Sequence, residues 1–267
     1  MKKIKKNIKR VQHFIPQFIL KKFLLPKGRF ELFDKRYNKS LPKDPGGSMF
    51  KEYFYEHDDF NPNEIEDLLA LRENFYAPVI EKIINKKPLT IEEHSVLLEF
   101  RHTTYYRSNE FIGFHNYEKR RSENDWIERW DWKSINGIYN SKDFEKDIKK
   151  SQLRSIKSVI DRTDPVYYIS SLTPICFLFT STGKKFMVSD SGSLCGGNEF
   201  DGMVAIVLSP NHVIVFPRVK NALKIIEKLG FNNKKSNIIH ENADDKFVNL
   251  INNKVIENSF EYYINPN

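Results

Sequence analysis

Six side chains in this 267-residue sequence are of types that do chemistry and fall on faces that the local pattern turns inward: His13, Gln17, Glu66, Glu73, Arg107 and Asp190. His13 and Gln17 belong to His-Phe-Ile-Pro-Gln; on a helix they would share one face, with Phe14 and Phe18 on another. Glu66 and Glu73 are seven residues, or two turns, apart and border an apolar stripe beside Leu69 and Ala70. Arg107 continues the apolar row Val96, Phe100, Thr103 and Thr104. A guanidinium placed there must find a carboxylate, a phosphate or carbonyls, because an unpaired buried charge is expensive. The expected partner is Glu66 or Glu73. Asp190 shares a strand face with Phe186 and Val188 and emerges at that strand's end.

Carboxylates in such a group suit a hard cation, so Glu66, Glu73 and Asp190 are candidate ligands for Mg²⁺ or Mn²⁺. His13 then acts as general base or ligand, and Arg107 stabilises charge on a phosphoryl group. Each residue also has a plain structural reading. His13 can bond a backbone carbonyl, and the glutamates can edge a solvated face. Arg107 can close a buried ion pair, and Asp190 can cap the turn Asp-Ser-Gly. Other chemistries lack their motifs. There is no Gly-x-x-x-x-Gly-Lys-Ser/Thr loop, no Gly-x-Gly-x-x-Gly, no Gly-x-Ser-x-Gly and no His-Glu-x-x-His.

Charge points the same way as the carboxylates. Lys and Arg number 43 against 35 Asp and Glu, a net charge of +8 that suits an acidic partner such as RNA or DNA. Lys2, Lys3, Lys5, Lys6, Lys9 and Arg10 open the sequence as a basic tail, and the aromatic, basic stretch 115–133 is a second candidate contact. The two cysteines make neither a disulfide framework nor a zinc site, which fits a reducing, cytoplasmic setting. No 18-residue apolar window is present, so no membrane span is expected.

The elements that must position these residues follow from periodicity. A helix is expected from Pro16, then a strand at Arg29–Asp34 paired with Phe50–Tyr55 across the loop Pro42–Gly47. Ile65 to Ile84 form one long helix, and Thr90-Ile91-Glu92-Glu93 caps a second that runs past Arg107, giving an antiparallel hairpin. A further helix is expected at 143–162. Short strands are expected at Ile175–Phe179, Lys185–Ser189, Met203–Leu208 and Val213–Phe216. Helices near 219–229 and 243–257 follow, with an edge strand at Phe260–Ile264. The expected fold is a single α+β domain: a basic tail over 1–10, a mainly helical lobe over 11–163 and a sheet-rich lobe over 164–267.

The opening His-Phe-Ile-Pro-Gln-x-x-Leu-x-x-Phe resembles the signature of a bacterial domain-of-unknown-function family, number four-two-three-eight. The resemblance continues through the helix with Glu66 and Glu73, a helix ending near Arg107, Met187-Val188-Ser189-Asp190, Leu208-Ser209-Pro210 and the closing Tyr-Tyr-Ile. Where members of that family have Asn-Pro after the aspartate, this chain has Ser191-Gly192. The resemblance implies which residues cluster and carries no activity. The residues themselves lead to two expectations. One is a metal-dependent nuclease or phosphoesterase of a toxin or phage-defence type, with a protein partner in such a complex. The other is a non-catalytic binding, sensor or accessory module whose polar cluster is a salt-bridge network.

Overall fold

The computed structural model describes residues 8–108, 144–163, 175–195, 203–217 and 237–266. The architecture is α+β: a helical hairpin braced by a third helix, packed with three sheets of two, four and five strands among the described residues. The expected helix near 219–229 and most of the stretch 109–145 lie outside the described residues.

The hairpin forms as its periodicity and caps dictate. Helix α2 spans Glu64–Ile84 and buries Ile65, Leu69, Tyr76, Val79, Ile80 and Ile83. Its interior Pro78 lies on the exposed side. Lys86, at φ +55°, turns the chain away from the helix end. Thr90 then starts α3 (Ile91–Tyr106) with a reciprocal cap: the Glu93 N–H donates to the Thr90 hydroxyl at 3.3 Å, and the Thr90 N–H to the Glu93 carboxylate at 2.9 Å. A helix over Phe144–Ile160, α4, lies against both and adds Leu153, Ile156 and Val159 to the core. Its basic face meets an acidic loop, with Lys157 on Glu64 at 2.6 Å and Lys146 on Asp58 at 3.0 Å.

Two expected features of the N-terminal segment are corrected. His13 closes a strand, β1 (Val11–His13), rather than entering a helix; Pro16 caps α1, which is only Gln17–Leu20 followed by a 3-10 turn at Lys21–Phe23. The strand Phe30–Asp34 (β2) pairs with Lys39–Lys43 (β3), not with Phe50–Tyr55. Asn38, at φ +48°, closes that nearer hairpin, and Pro42 is tolerated because β3 is an edge strand. Phe50–Glu52 (β4) is left to pair with β1, with His13 opposite Phe50.

The later strands are β5 (Ile175–Thr180), β6 (Val188–Ser189), β7 (Leu194–Cys195), β8 (Val204–Ser209), β9 (His212–Phe216), β10 (Asn237–Asn242) and β11 (Tyr262–Ile264), with helix α5 at Asp245–Asn258 before the last. The five-stranded sheet runs β10-β5-β9-β8-β7, parallel only between β10 and β5. The expected strand at Lys185–Ser189 shortens to β6. Asn252 of α5 takes the Met187 N–H at 2.8 Å and donates to the Lys185 carbonyl at 2.8 Å, standing in for a neighbouring strand. The expected edge strand at the end of the chain is instead internal: β11 sits between β2 and β6 in the order β3-β2-β11-β6. The two lobes read from the sequence therefore share one sheet.

Candidate functional site

The face between α2 and α3 carries an unusual load of charge. Arg107, at the end of α3, donates from one terminal nitrogen to Glu73 of α2 at 2.7 Å and from the other to the His13 carbonyl at 2.7 Å. Its Nε donates to the Tyr55 hydroxyl at 3.3 Å. The Tyr55 hydroxyl donates in turn to the His13 carbonyl at 2.9 Å, and the Tyr55 N–H to the Gln12 side chain at 2.5 Å. Gln12 donates onward to Glu56 at 2.9 Å. One guanidinium thus ties β1, the segment after β4 and both hairpin helices together. Its side chain is 3% exposed, against 24% for Glu73. Burial opposes its charge, but Tyr55 and Glu73 more than offset that, holding its pKa above the ordinary arginine range.

The expectation that Arg107 meets Glu66 or Glu73 is met at Glu73. Glu66 is the carboxylate left over. It is half-buried one turn into α2, and no hydrogen bond reaches it among the described residues. Burial pushes its pKa up to about 7, reinforced by Glu73 and Asp67, although Arg107 and Lys9 pull it down. Lys9 is fixed at the same end of α2: its N–H donates to Asn63 at 2.7 Å and its ammonium meets Asp67 at 2.8 Å.

His13 contributes mainly through its backbone. Its imidazole faces the loop after β3, with Nε2 3.2 Å from the Pro45 carbonyl and the Gln17 amide nitrogen 3.4 Å from both ring nitrogens. The tautomer with the proton on Nε2 serves both neighbours, donating to Pro45 and accepting from Gln17 at Nδ1. Burial lowers its pKa, against the pull of the Gly46 and Pro45 carbonyls, and Arg107 lowers it further. Gln17 therefore stays beside His13, as its spacing suggested, even though His13 is not helical.

Asp190 is placed differently. It is fully buried, and both oxygens accept backbone N–H groups: Phe260 at 2.8 Å, Glu261 at 2.7 Å and Tyr262 at 3.1 Å. Its carboxylate holds the entry to β11. The following Gly192, at φ +69°, presses on Ile15 and Thr104; a Cβ there would stand 3.1 Å and 3.2 Å from their side chains. Among the described residues no group of three or more His, Cys, Asp or Glu side chains is arranged to hold a metal ion. Glu66 and Glu73 can offer oxygen ligands from one helix face; Asp190 has no oxygen free of the main chain to join them.

A second charge cluster on the same helix pair has no counterpart in the sequence reading. Glu99 of α3 is fully buried, and Arg72 of α2 grips it at 2.5 Å and 2.7 Å. The Tyr76 hydroxyl adds a third donor at 2.6 Å. A signal existed: Glu99, Thr103 and Arg107 recur every four residues, so Glu99 lies on the face already assigned inward.

Residues 11–265 match the model of a family described as "Protein of unknown function (DUF4238)". No curated protein and no solved structure matches the chain. No helix among the described residues is long and apolar enough to cross a membrane.

Proposed function

The chain belongs to the DUF4238 family, and since that description attaches no activity we propose, from the site alone, that the protein cleaves a phosphoester of nucleic acid with Glu66 as its proton-transfer group. The observation that carries this reading is that two carboxylates stand near one guanidinium and only one of them is bonded to it. Arg107 is committed to Glu73, so Glu66 remains half-buried without a donor and titrates near neutrality. A general acid–base needs that condition at physiological pH. Glu73 and Arg107 are positioning residues that fix the electrostatics around it, and His13 and Gln17 brace the carbonyl that Arg107 holds. Lys9 lies at the same helix end and, with the basic residues that precede it in the sequence, would supply charge to a phosphate backbone. Mg²⁺ or Mn²⁺ on the Glu73 oxygen that Arg107 does not occupy, with waters completing its shell, would supply Lewis acidity to the phosphoryl group and leave Glu66 to carry the proton.

The test is cleavage of labelled RNA and DNA oligonucleotides with Mg²⁺, Mn²⁺ and EDTA arms, by wild type and by Glu66→Gln. The reading expects cleavage by wild type, its loss in Glu66→Gln, and a melting temperature in the variant no lower than wild type. A second reading, a non-catalytic binding, sensor or accessory module whose polar cluster is a salt-bridge network, is favoured by the sealed state of Arg107, which has an acceptor for each of its nitrogens. No cleavage by wild type in any arm, with salt-dependent oligonucleotide binding retained, selects that reading.

A further inference from the structure

A different rim of the molecule, where the five-stranded sheet meets the turn between α2 and α3, assembles polar groups that the site above does not use. In register across three strands, His212 of β9 lies opposite Thr180 of β5, and Thr180 opposite Asn242 of β10. Residues paired in this way project from the same sheet face, and His240 lies on it too, two residues before Asn242. Deeper along that face come Leu178 and Ile214, both fully buried, so the polar row is the lip of an apolar wall. The Thr180 hydroxyl is buried yet has no hydrogen-bond partner among the described residues. A buried hydroxyl left unmade is costly, which makes it a mark of a missing ligand or water.

The lip is cationic. His212 feels Lys22 and Lys86, His240 feels Lys86, and burial together with these ammonium groups lowers the two imidazoles; no carboxylate among the described residues acts on either ring. Lys22 is answered by Glu81, whereas Lys86 forms no ion pair among the described residues. His212 is also held in place: Ser209 accepts the Asn211 N–H at 3.2 Å, and its hydroxyl lies 2.8 Å from His212 Nδ1. A Ser209 proton given to Nδ1 leaves Nε2–H as a donor. Asn211 itself is fixed by Lys185 at 2.6 Å.

We propose that this lip binds a phosphate group, with Lys86 and His212 as its principal charge and donor, the Thr180 hydroxyl as its buried donor, and His240 and Asn242 at its open side. An imidazole N–H, a hydroxyl, an amide and an ammonium without a competing acid match the oxygens of a phosphate better than any cation or neutral ligand. Lys86 follows Glu66 by twenty residues, mostly of α2, so the lip stands about 30 Å from the Glu66 site. The proposal does not depend on any activity at Glu66.

The test uses inorganic phosphate titrated into the full chain, followed by ³¹P NMR or calorimetry, for wild type, Lys86→Glu, Thr180→Val and Glu66→Gln. Expected are saturable binding by wild type, loss on the order of tenfold or more in Lys86→Glu, a smaller loss in Thr180→Val, and no change in Glu66→Gln. Thr180→Val removes the buried hydroxyl at nearly constant shape, so its melting temperature should hold even if a charge reversal at Lys86 perturbs the turn. Competition by a mononucleotide but not by an oligonucleotide lacking terminal phosphates identifies a terminal phosphate as the natural ligand; competition by both identifies backbone phosphate. Unchanged affinity in both Lys86→Glu and Thr180→Val, or no saturable binding by wild type, overturns the proposal.

Discussion

Two rungs of charge cross the same pair of helices, and they are mirror images. In the first, the acid is sealed and the base is near water: Glu99 is 0% exposed and Arg72 19%. In the second, the base is sealed and the acid is near water: Arg107 is 3% exposed and Glu73 24%. The first rung is closed. Glu99 receives both arginine donors and the Tyr76 hydroxyl, and no second carboxylate among the described residues bonds to them. The second is open, because Glu66 shares its electrostatic surroundings without a bond of its own. Balanced charge in a dry interface fixes structure; a surplus carboxylate beside a committed cation is a reservoir for a proton. The same two helices thus carry a structural solution at one end and a chemical one at the other.

The comparison breaks most sharply if the half-exposed partner of the first rung is removed. Arg72→Ala strands Glu99 in the core and should cost on the order of 3–5 kcal/mol, read from urea or thermal unfolding. Equal stability in Arg72→Ala and wild type would show that the first rung is not what holds the helices together. Glu73→Gln should cost less, about 1–2 kcal/mol, since the amide oxygen still accepts from Arg107, and the His13 carbonyl and Tyr55 remain. A larger loss in Glu73→Gln than in Arg72→Ala reverses the comparison.

Glu66 should behave in the opposite sense. Its folded-state pKa of about 7 lies above the ordinary value of 4.5, so the folded form holds its proton more tightly than the unfolded chain does. Well below pH 4.5 the group is neutral in both states and contributes nothing; between 4.5 and about 7 the unfolded chain gives up the proton first, so stability falls across that window and the cost is complete above it. Glu66→Gln should therefore stabilise the protein at pH 8 by roughly 1–3 kcal/mol, with the gain fading toward pH 4.5. A pH-independent difference between the two melting profiles would remove Glu66 as a neutral-range titrating group. The smallest effect is expected at His13, whose lowered pKa removes stability as pH falls below 6.5. Titration of its ring protons by NMR should give a midpoint below that of the unfolded peptide, and an elevated midpoint would contradict the packing against Pro45.

The helical hairpin was legible because its signals are local. The apolar stripe of α2 and the Thr90–Glu93 cap fix two helices within short windows, and the stripe leading to Arg107 points to Glu66 or Glu73 as its partner, of which the structure selects Glu73. Glu99 obeyed the same spacing and escaped notice because it stands among polar neighbours, His94, Ser95 and Arg101, that mimic a solvated face. The strand partners were less legible. Nothing in Phe50–Glu52 distinguishes pairing with β1 from pairing with β2; the choice follows from the turn at Asn38. Asp190 was recognisable as a carboxylate at a strand end, but its partners are main-chain N–H groups of residues 260–262, and every residue except proline offers one.

The place of β11 sets a timetable for the molecule. Arg36 and Tyr262, 226 positions apart, meet across the junction of β2 and β11. A nascent chain emerging from the ribosome makes the β2–β3 hairpin early, yet the inner border of β2 has no mate until Tyr262–Ile264 have also left the exit tunnel. Until then a row of main-chain donors and acceptors stands bare, available to a neighbouring nascent chain. Long loop closure of this kind makes acquisition of the native state slow. Deleting Tyr262–Ile264 would leave β6 without a strand partner among the described residues and β2 paired on its β3 side alone, so the loss of three residues should act on the yield of soluble protein as severely as the loss of a core helix.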